Sequence, residues 1–156
     1  MTDSPAAGND STRRDLMASG VAAGAAVLGL GAVASAGTSQ DAGGPTKLFS
    51  LWTSGDPDIA HRVALMYTHA AKRAGWFQDV KLVIWGPSQR LLVGDKDLKA
   101  KIDEMRSDGV AVEACIACAE SFGLVETLKE MGLPVLGQGG PLSEALKDPQ
   151  TAVTFF

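Results

Sequence analysis

Two cysteines lie three positions apart near the middle of the sequence, at Cys115 and Cys118, and the chain has no others. The reactive form of cysteine is the thiolate, and the pKa of a thiol falls in a Cys-x-x-Cys loop or at the start of a helix. The run Val110-Ala111-Val112 predicts a buried strand before the pair, and the residues after it can be helical. We therefore interpret the pair as the functional centre, with a reachable and ionisable sulfur on Cys115.

Several other interpretations remain open for the same two cysteines. They can pack as small hydrophobic side chains, or they can form a disulfide, either structural or catalytic. Zinc requires four ligands, and His61 and His69 have no second cysteine pair near them in the sequence, so only a metal shared between subunits would fit. The sequence therefore predicts no metal ligands within one chain. Glu113 and Glu120 would oppose ionisation of a thiol if they lay close to it.

Strand-like and helix-like segments alternate along the chain, which predicts an α/β domain with a mostly parallel five-stranded sheet. The predicted strands are Lys47 to Trp52, Val80 to Trp85, Val110 to Val112, Leu133 to Leu136 and Ala152 to Phe156. A first helix should begin at Pro57, end at Gly75 and bury a stripe formed by Ile59, Val63, Met66 and Ala70. Three more are predicted from the Asp95–Asp97 region, from Leu124, and from Leu142 to Lys147. The run Leu91-Leu92-Val93 is left unassigned, as a cover for the sheet edge or a partner contact.

In a parallel sheet the segments after the strands meet at one edge, where ligands bind. The pocket residues predicted there are Ser54, His61, Gly86, Pro87, Ser88, Gln138 and Gly139. His61 is either a proton donor near the sulfur or a solvated helix residue. Gln138-Gly139-Gly140 is either an anion cradle or a tight turn, and it lacks the Gly-x-Gly-x-x-Gly spacing of a dinucleotide site. No cofactor is predicted.

The first 36 residues have the parts of an export signal. Arg13 and Arg14 precede an uncharged, weakly apolar run from Ala18 to Ala36, and Ala34-Ser35-Ala36 resembles a cleavage site. The segment resembles a twin-arginine signal, which predicts a periplasmic or otherwise exported protein. The run also approaches the length of a membrane span, so an uncleaved anchor is the alternative. Residues 37–46 are predicted to be a flexible leader, and residues 47–156 the mature domain.

The charge of the chain excludes one large class of partners. Its 14 basic and 18 acidic residues give a formal net charge of -4, and no segment is rich in lysine or arginine. Nucleic-acid binding therefore has no electrostatic support. The 46% hydrophobic content is that of an ordinary globular domain.

Three segments of the mature domain resemble the DsrE/DsrF-like family of small sulfur-relay proteins: WGPSQRLL, GVAVEACIACAESFG and MGLPVLGQGGPLSEAL. The resemblance implies a three-layer α/β/α fold and assembly into a homotrimer or homohexamer. It also implies that Cys115 accepts sulfane sulfur as a persulfide, and that Cys118 matches a second cysteine found in some branches. The expected partners are sulfur donors and acceptors. The familiar members are cytoplasmic, and the export signal departs from that pattern.

Three functional hypotheses follow from these observations. The first is an exported sulfur carrier that binds or relays sulfane sulfur on Cys115, with Cys118 able to resolve the persulfide by forming a disulfide. The second is a non-catalytic oligomeric module that binds a small ligand or metal in the same pocket. The third is a thiol–disulfide oxidoreductase that uses Cys115 and Cys118.

Overall fold

The structure is a computed structural model that describes residues 43–156 of the chain. Its sheet contains β1 (Lys47–Trp52), β2 (Asp79–Ile84), β3 (Ala111–Cys115), β4 (Val135–Leu136) and β5 (Thr151–Phe155). Their order across the sheet is β4-β3-β2-β1-β5, and every neighbouring pair is parallel. The predicted α/β class and parallel sheet are confirmed. The predictions for residues 1–36 and 37–42 lie outside the described residues.

The helices connect consecutive strands. They are α1 (Pro57–Ile59), a π-helical segment (Ala60–Ala64), α2 (Leu65–Arg73), α3 (Ser88–Gly94), α4 (Lys96–Ser107), α5 (Ile116–Phe122), α6 (Val125–Glu130) and α7 (Gly139–Ala145). Asp56 and Asp95 cap the starts of α1 and α4 by accepting hydrogen bonds from two backbone N–H groups each. No helix within residues 43–156 has the length and apolar character needed to cross a membrane.

The two faces of the sheet are covered unequally. Strands β1 to β4 follow one another in one direction across the sheet, and because such crossovers are right-handed, their helices lie on the same face. That face holds the main core, which includes Trp52, Ile84, Leu92 and Ile102. Strand β5 returns to the other edge, so α7 covers the opposite face, where Ala145 packs with a smaller apolar cluster. Cys115 therefore lies in a strand with helices on both sides of the sheet.

The predicted buried stripe of the first helix is wrong. Val63 and Met66 are 40% and 58% exposed. The residues that are buried instead are Ala60, Ala64, Leu65, Thr68, His69 and Ala71. A π-helical turn contains more residues than an α-helical turn, so it rotates the side chains on either side of it relative to an uninterrupted α-helix. Ala60, Ala64 and Leu65 occupy the inner face, and Val63 and Met66 point outward.

This orientation predicts that Met66 contributes little to stability. We expect Met66→Ser to change the free energy of unfolding by no more than about 0.5 kcal/mol, because substitutions at exposed positions rarely exceed that. Urea unfolding followed by circular dichroism measures it. The matched control is Leu65→Ser, because Leu65 is the buried neighbour and its loss should shift the midpoint strongly. A large shift for Met66→Ser would contradict the orientation.

Three smaller features differ from the sequence-based predictions. The unassigned run Leu91-Leu92-Val93 belongs to α3, and Leu92 is fully buried in the core. Strand β4 is only two residues long. Helix α7 begins at Gly139 instead of Leu142, so the glycine-rich segment forms the first helical turn and is not a turn before the helix. Glycine propensities disfavour a helix there, and packing of Ala145 against the sheet outweighs them.

Candidate functional site

The cysteine pair lies where β3 ends and α5 begins. Cys115 is the last residue of β3 and the N-cap of α5, and Cys118 lies in the first turn of that helix. Both are free thiols. Cys115 is only 3% exposed, whereas Cys118 is half-buried. The prediction of a reachable sulfur on Cys115 is therefore wrong for the isolated chain, because residue 115 still pairs with Leu136 of β4 within the sheet.

Gln89 connects this site to the neighbouring strand. Its side chain is fully buried, and its Nε2 donates to the carbonyl of Ile84 at 3.0 Å and to the carbonyl of Cys115 at 2.9 Å. The side chain thus ties the carboxyl ends of β2 and β3 together. Its Oε1 is buried and has no hydrogen-bond partner in the part of the chain that the structure describes.

The segment Gly86-Pro87-Ser88 follows β2 and reaches the same site. Gly86 has a φ of +70°, a conformation that side chains disfavour, and its backbone lies near enough to Cys118 to act to lower the pKa of that thiol. Ser88 is fully buried, with its Oγ 2.6 Å from the carbonyl oxygen of Trp52 and 3.1 Å from that of Trp85. Gly86 therefore touches the thiol pair, while Ser88 holds the loop in place.

The surroundings of Cys118 favour its neutral form. Burial raises the pKa of the Cys118 thiol, and the neighbouring thiol of Cys115 raises it further. The N–H of Gly86 acts in the opposite direction, and the net shift is upward. The lowered pKa typical of a Cys-x-x-Cys loop is thus not found at Cys118.

Glu113, two residues before Cys115 on β3, forms an ion pair and a hydrogen bond with residues outside that strand. Lys81 lies 3.0 Å from its Oε1, and Gln138 donates from Nε2 to its Oε2 at 2.8 Å. Burial acts to raise the pKa of Glu113, but these two partners outweigh it and the pKa is lowered. Glu113 is therefore ionised with its charge offset by Lys81, which weakens the repulsion of a nearby thiolate that the sequence suggested.

Gln138 and Gly139 lie at the start of α7, after β4. Gln138 is 1% exposed and its Oε1, like that of Gln89, is buried without a partner among residues 43–156. Its bond to Glu113 anchors α7 to β3. The segment Gln138-Gly139-Gly140 forms the start of α7, and the side chain of Gln138 bonds to Glu113 of the sheet instead of facing a bound anion.

Ser54 and His61 serve other contacts near this edge. The Oγ of Ser54 accepts a hydrogen bond from the N–H of Asp56, in the turn that leads to α1. His61 lies in the π-helical segment, with its Nε2 3.5 Å from a carboxylate oxygen of Asp95. The carboxylate that caps α4 is thus the charged partner of His61, and no hydrogen bond of His61 to either thiol is found within residues 43–156.

Two cavities among residues 43–156 lie away from the thiol pair. One cavity of about 480 Å³ is lined by Lys47, Phe49, Asp79, Lys81 and the start of β3. A second, of about 560 Å³, is lined by Val110 to Glu113, Gly132 and Pro134. Both lie where strands begin, at the edge opposite Cys115, so neither is the pocket predicted from the loops after the strands.

The comparisons with known proteins identify the family. A sequence profile of the DsrE/DsrF-like family matches residues 46–155. The chain belongs to the DsrE/DsrF-like family. A conserved protein of unknown function from Bacteroides thetaiotaomicron has a similar structure, with a TM-score of 0.66 and 32% sequence identity over 71% of this chain and 95% of that one. No curated protein matches the chain.

Sequence reasoning missed two residues of this DsrE/DsrF-like site. Gln89 makes the bond that fixes Cys115, and Lys81 compensates the charge of Glu113. A signal for Gln89 exists in the sequence, because a glutamine two positions before the apolar run Leu91-Leu92-Val93 needs buried partners once the run packs in the core. Lys81 alternates with apolar residues in β2, which is the usual pattern of a strand with one partly open face.

One cluster within residues 43–156 offers ligand atoms suited to a metal ion. Atoms of His69, Glu104 and Asp108 lie within 4.8 Å of one another. His69 Nε2 is 2.7 Å from Asp108, and Lys101 already pairs with Glu104 at 2.8 Å. The cluster joins α2 to the end of α4, ahead of β3, whereas the cysteines lie at the end of β3 and in α5. We therefore assign it to helix packing.

Proposed function

We propose that this DsrE/DsrF-like chain is an exported sulfur carrier that holds sulfane sulfur as a persulfide on Cys115. The observation that carries the proposal is the pair of adjacent free thiols at the carboxyl end of β3, in contact with the loop after β2. Family membership is compatible with a sulfur-relay role. The arginine pair at Arg13 and Arg14 and the apolar run after it support export.

The chemistry requires only thiolates and a sulfur donor. A thiolate of the pair attacks the outer sulfur of a persulfide or polysulfide, the S–S bond of the donor breaks, and the donor leaves as a thiolate or shortened polysulfide. On release, an acceptor thiolate attacks the outer sulfur, and the cysteine that carried it leaves as a thiolate. Neither transfer changes the total oxidation state, so no cofactor is needed. Donor and acceptor are the partners, and a trimer or hexamer is the expected assembly.

The test is a mass measurement on the purified protein. The reduced chain is treated with inorganic polysulfide, desalted into buffer that contains a small thiol, and weighed intact. We expect the wild type to retain the mass of one sulfur atom and Cys115→Ser to retain none. The matched control is Ala117→Ser, an exposed position between the cysteines, which should retain sulfur like the wild type.

Two outcomes would contradict the proposal. A wild-type chain with both thiols free that gains no sulfur would favour the non-catalytic binding module. If Cys115→Ser retained as much sulfur as the wild type, Cys115 could not be the residue that carries it. The adjacency of the thiols also favours a second candidate, a thiol–disulfide oxidoreductase, which predicts loss of disulfide exchange in either single variant together with an oxidising reduction potential.

A further inference from the structure

We propose, resting on the function above, that Cys118 is the loading thiol of this protein and that Cys115 is the storage thiol. Sulfur enters and leaves through Cys118 and passes inward by one intramolecular step. The two cysteines thus act in series within a single turn of α5, and neither replaces the other.

The difference in exposure sets the direction. Cys115 is 3% exposed, so a donor or acceptor molecule cannot approach its sulfur from solvent in this conformation. Cys118 is half-buried and lies one turn further along α5, between two exposed positions on the helix, Ala117 and Glu120. Thiol exchange rates depend on access as well as on ionisation. External sulfur therefore reaches Cys118 first.

The contacts of the pair make the inward step short. Cys115 ends β3 and Cys118 lies in the first turn of α5, so the two thiols are neighbours, and the thiol of Cys115 raises the pKa of Cys118. The side chain of Gln89 fixes the backbone of Cys115 through its carbonyl. Because Gly86 and Gln89 belong to the same connection after β2, this one segment sets the relative position of both cysteines.

The step balances without an oxidant or reductant. Cys118 thiolate attacks the outer sulfur of a donor persulfide, and the donor leaves as a thiolate. Cys115, deprotonated as Cys118 becomes the leaving thiolate, attacks the outer sulfur of the Cys118 persulfide. The S–S bond on Cys118 breaks, a new S–S bond forms on Cys115, and Cys118 takes up the proton. Unloading follows the same steps in reverse toward an acceptor thiolate.

Burial of Cys115 protects a persulfide on that residue from small thiols in solution. A persulfide exposed on the surface is attacked by any small thiol, whereas one on the buried Cys115 is open only to its neighbour Cys118. Cys118 persulfide should therefore be short-lived in the presence of a small thiol, and Cys115 persulfide long-lived.

The experiment follows sulfur on the intact chain with time. Reduced wild type, Cys118→Ser, Cys115→Ser and the control Ala117→Ser are mixed with inorganic polysulfide and quenched with iodoacetamide at intervals. Fragment-ion mass spectra then assign the sulfur to residue 115 or 118. In the wild type we expect sulfur on Cys118 first and on Cys115 later. Loading of Cys118→Ser should be slower by about tenfold or more, because access limits the exchange rate, while Ala117→Ser loads like the wild type.

The outcomes separate this inference from the function on which it rests. If the wild type never gains sulfur, the proposed function fails. If the wild type gains sulfur on Cys115 from the earliest time, or Cys118→Ser loads at the wild-type rate, the carrier function holds and the series arrangement is overturned. Circular dichroism shows whether Cys118→Ser folds. If it does not, the wild-type time course, which needs no variant, still tests the inference.

Discussion

Replacement of Gln89 by leucine is expected to destabilise the protein and to open the thiol site together. The amide donates to two buried carbonyls, those of Ile84 and Cys115. Leaving a buried polar group without its partner costs about 1–3 kcal/mol, so the loss of both bonds should lower the free energy of unfolding by at least about 2 kcal/mol. The substitution also removes the buried, unpartnered Oε1 of Gln89, which offsets a small part of the lost stability.

The same variant should expose Cys115. Because the bond to Gln89 holds the end of β3 against β2, its loss should raise the rate at which iodoacetamide modifies Cys115 by about tenfold or more. Urea unfolding gives the stability, and alkylation timed by mass spectrometry gives the reactivity. The matched control is Gln78→Leu at an exposed glutamine, which should change neither. Unchanged stability and unchanged Cys115 alkylation in Gln89→Leu would show that the amide does not hold the site.

Local sequence patterns were sufficient to predict most of the fold. The parallel α/β sheet and the helix starts at Pro57 and in the Asp95–Asp97 region follow from runs of apolar residues and cap residues. These signals are local, since cap side chains bond to backbone two or three residues away and a helix stripe repeats within one element. The short helix α3 was missed because its apolar residues span less than two turns.

The incorrect predictions for the site and for the first helix have a different physical origin. The sequence places Cys115 correctly at the carboxyl end of a strand, but residue 115 is also paired with Leu136 of β4, a strand that lies far from it in the sequence, so its burial could not be read from local residues. The first helix was assigned the wrong face because a π-helical turn changes the angular spacing that the pattern assumes. The ion pair of Lys81 and Glu113 joins two strands through tertiary contact alone.

The pH midpoint for the reaction of Cys118 should be shifted upward, whereas the midpoint of an activated thiol is shifted downward. Burial and the neighbouring Cys115 raise its pKa, and the N–H of Gly86 offsets only part of the effect. Because only the thiolate reacts, alkylation of Cys118 should increase about tenfold for each pH unit until its pKa is reached. We expect the midpoint to lie above that of N-acetylcysteine measured in the same buffers. At neutral pH Cys118 should therefore react more slowly than that small thiol.

The Cys115→Ser variant separates the causes of this shift. A serine at position 115 removes the thiol that raises the pKa of Cys118, and its hydroxyl can donate a hydrogen bond to the Cys118 thiolate. Both changes stabilise the ionised form, so the midpoint of the alkylation profile should move to lower pH, while burial keeps part of the upward shift. The Ala117→Ser variant, with both cysteines present, should keep the wild-type profile at residue 118. A midpoint unchanged in Cys115→Ser would mean that the two sulfurs do not interact, and sulfur could not then pass directly between them.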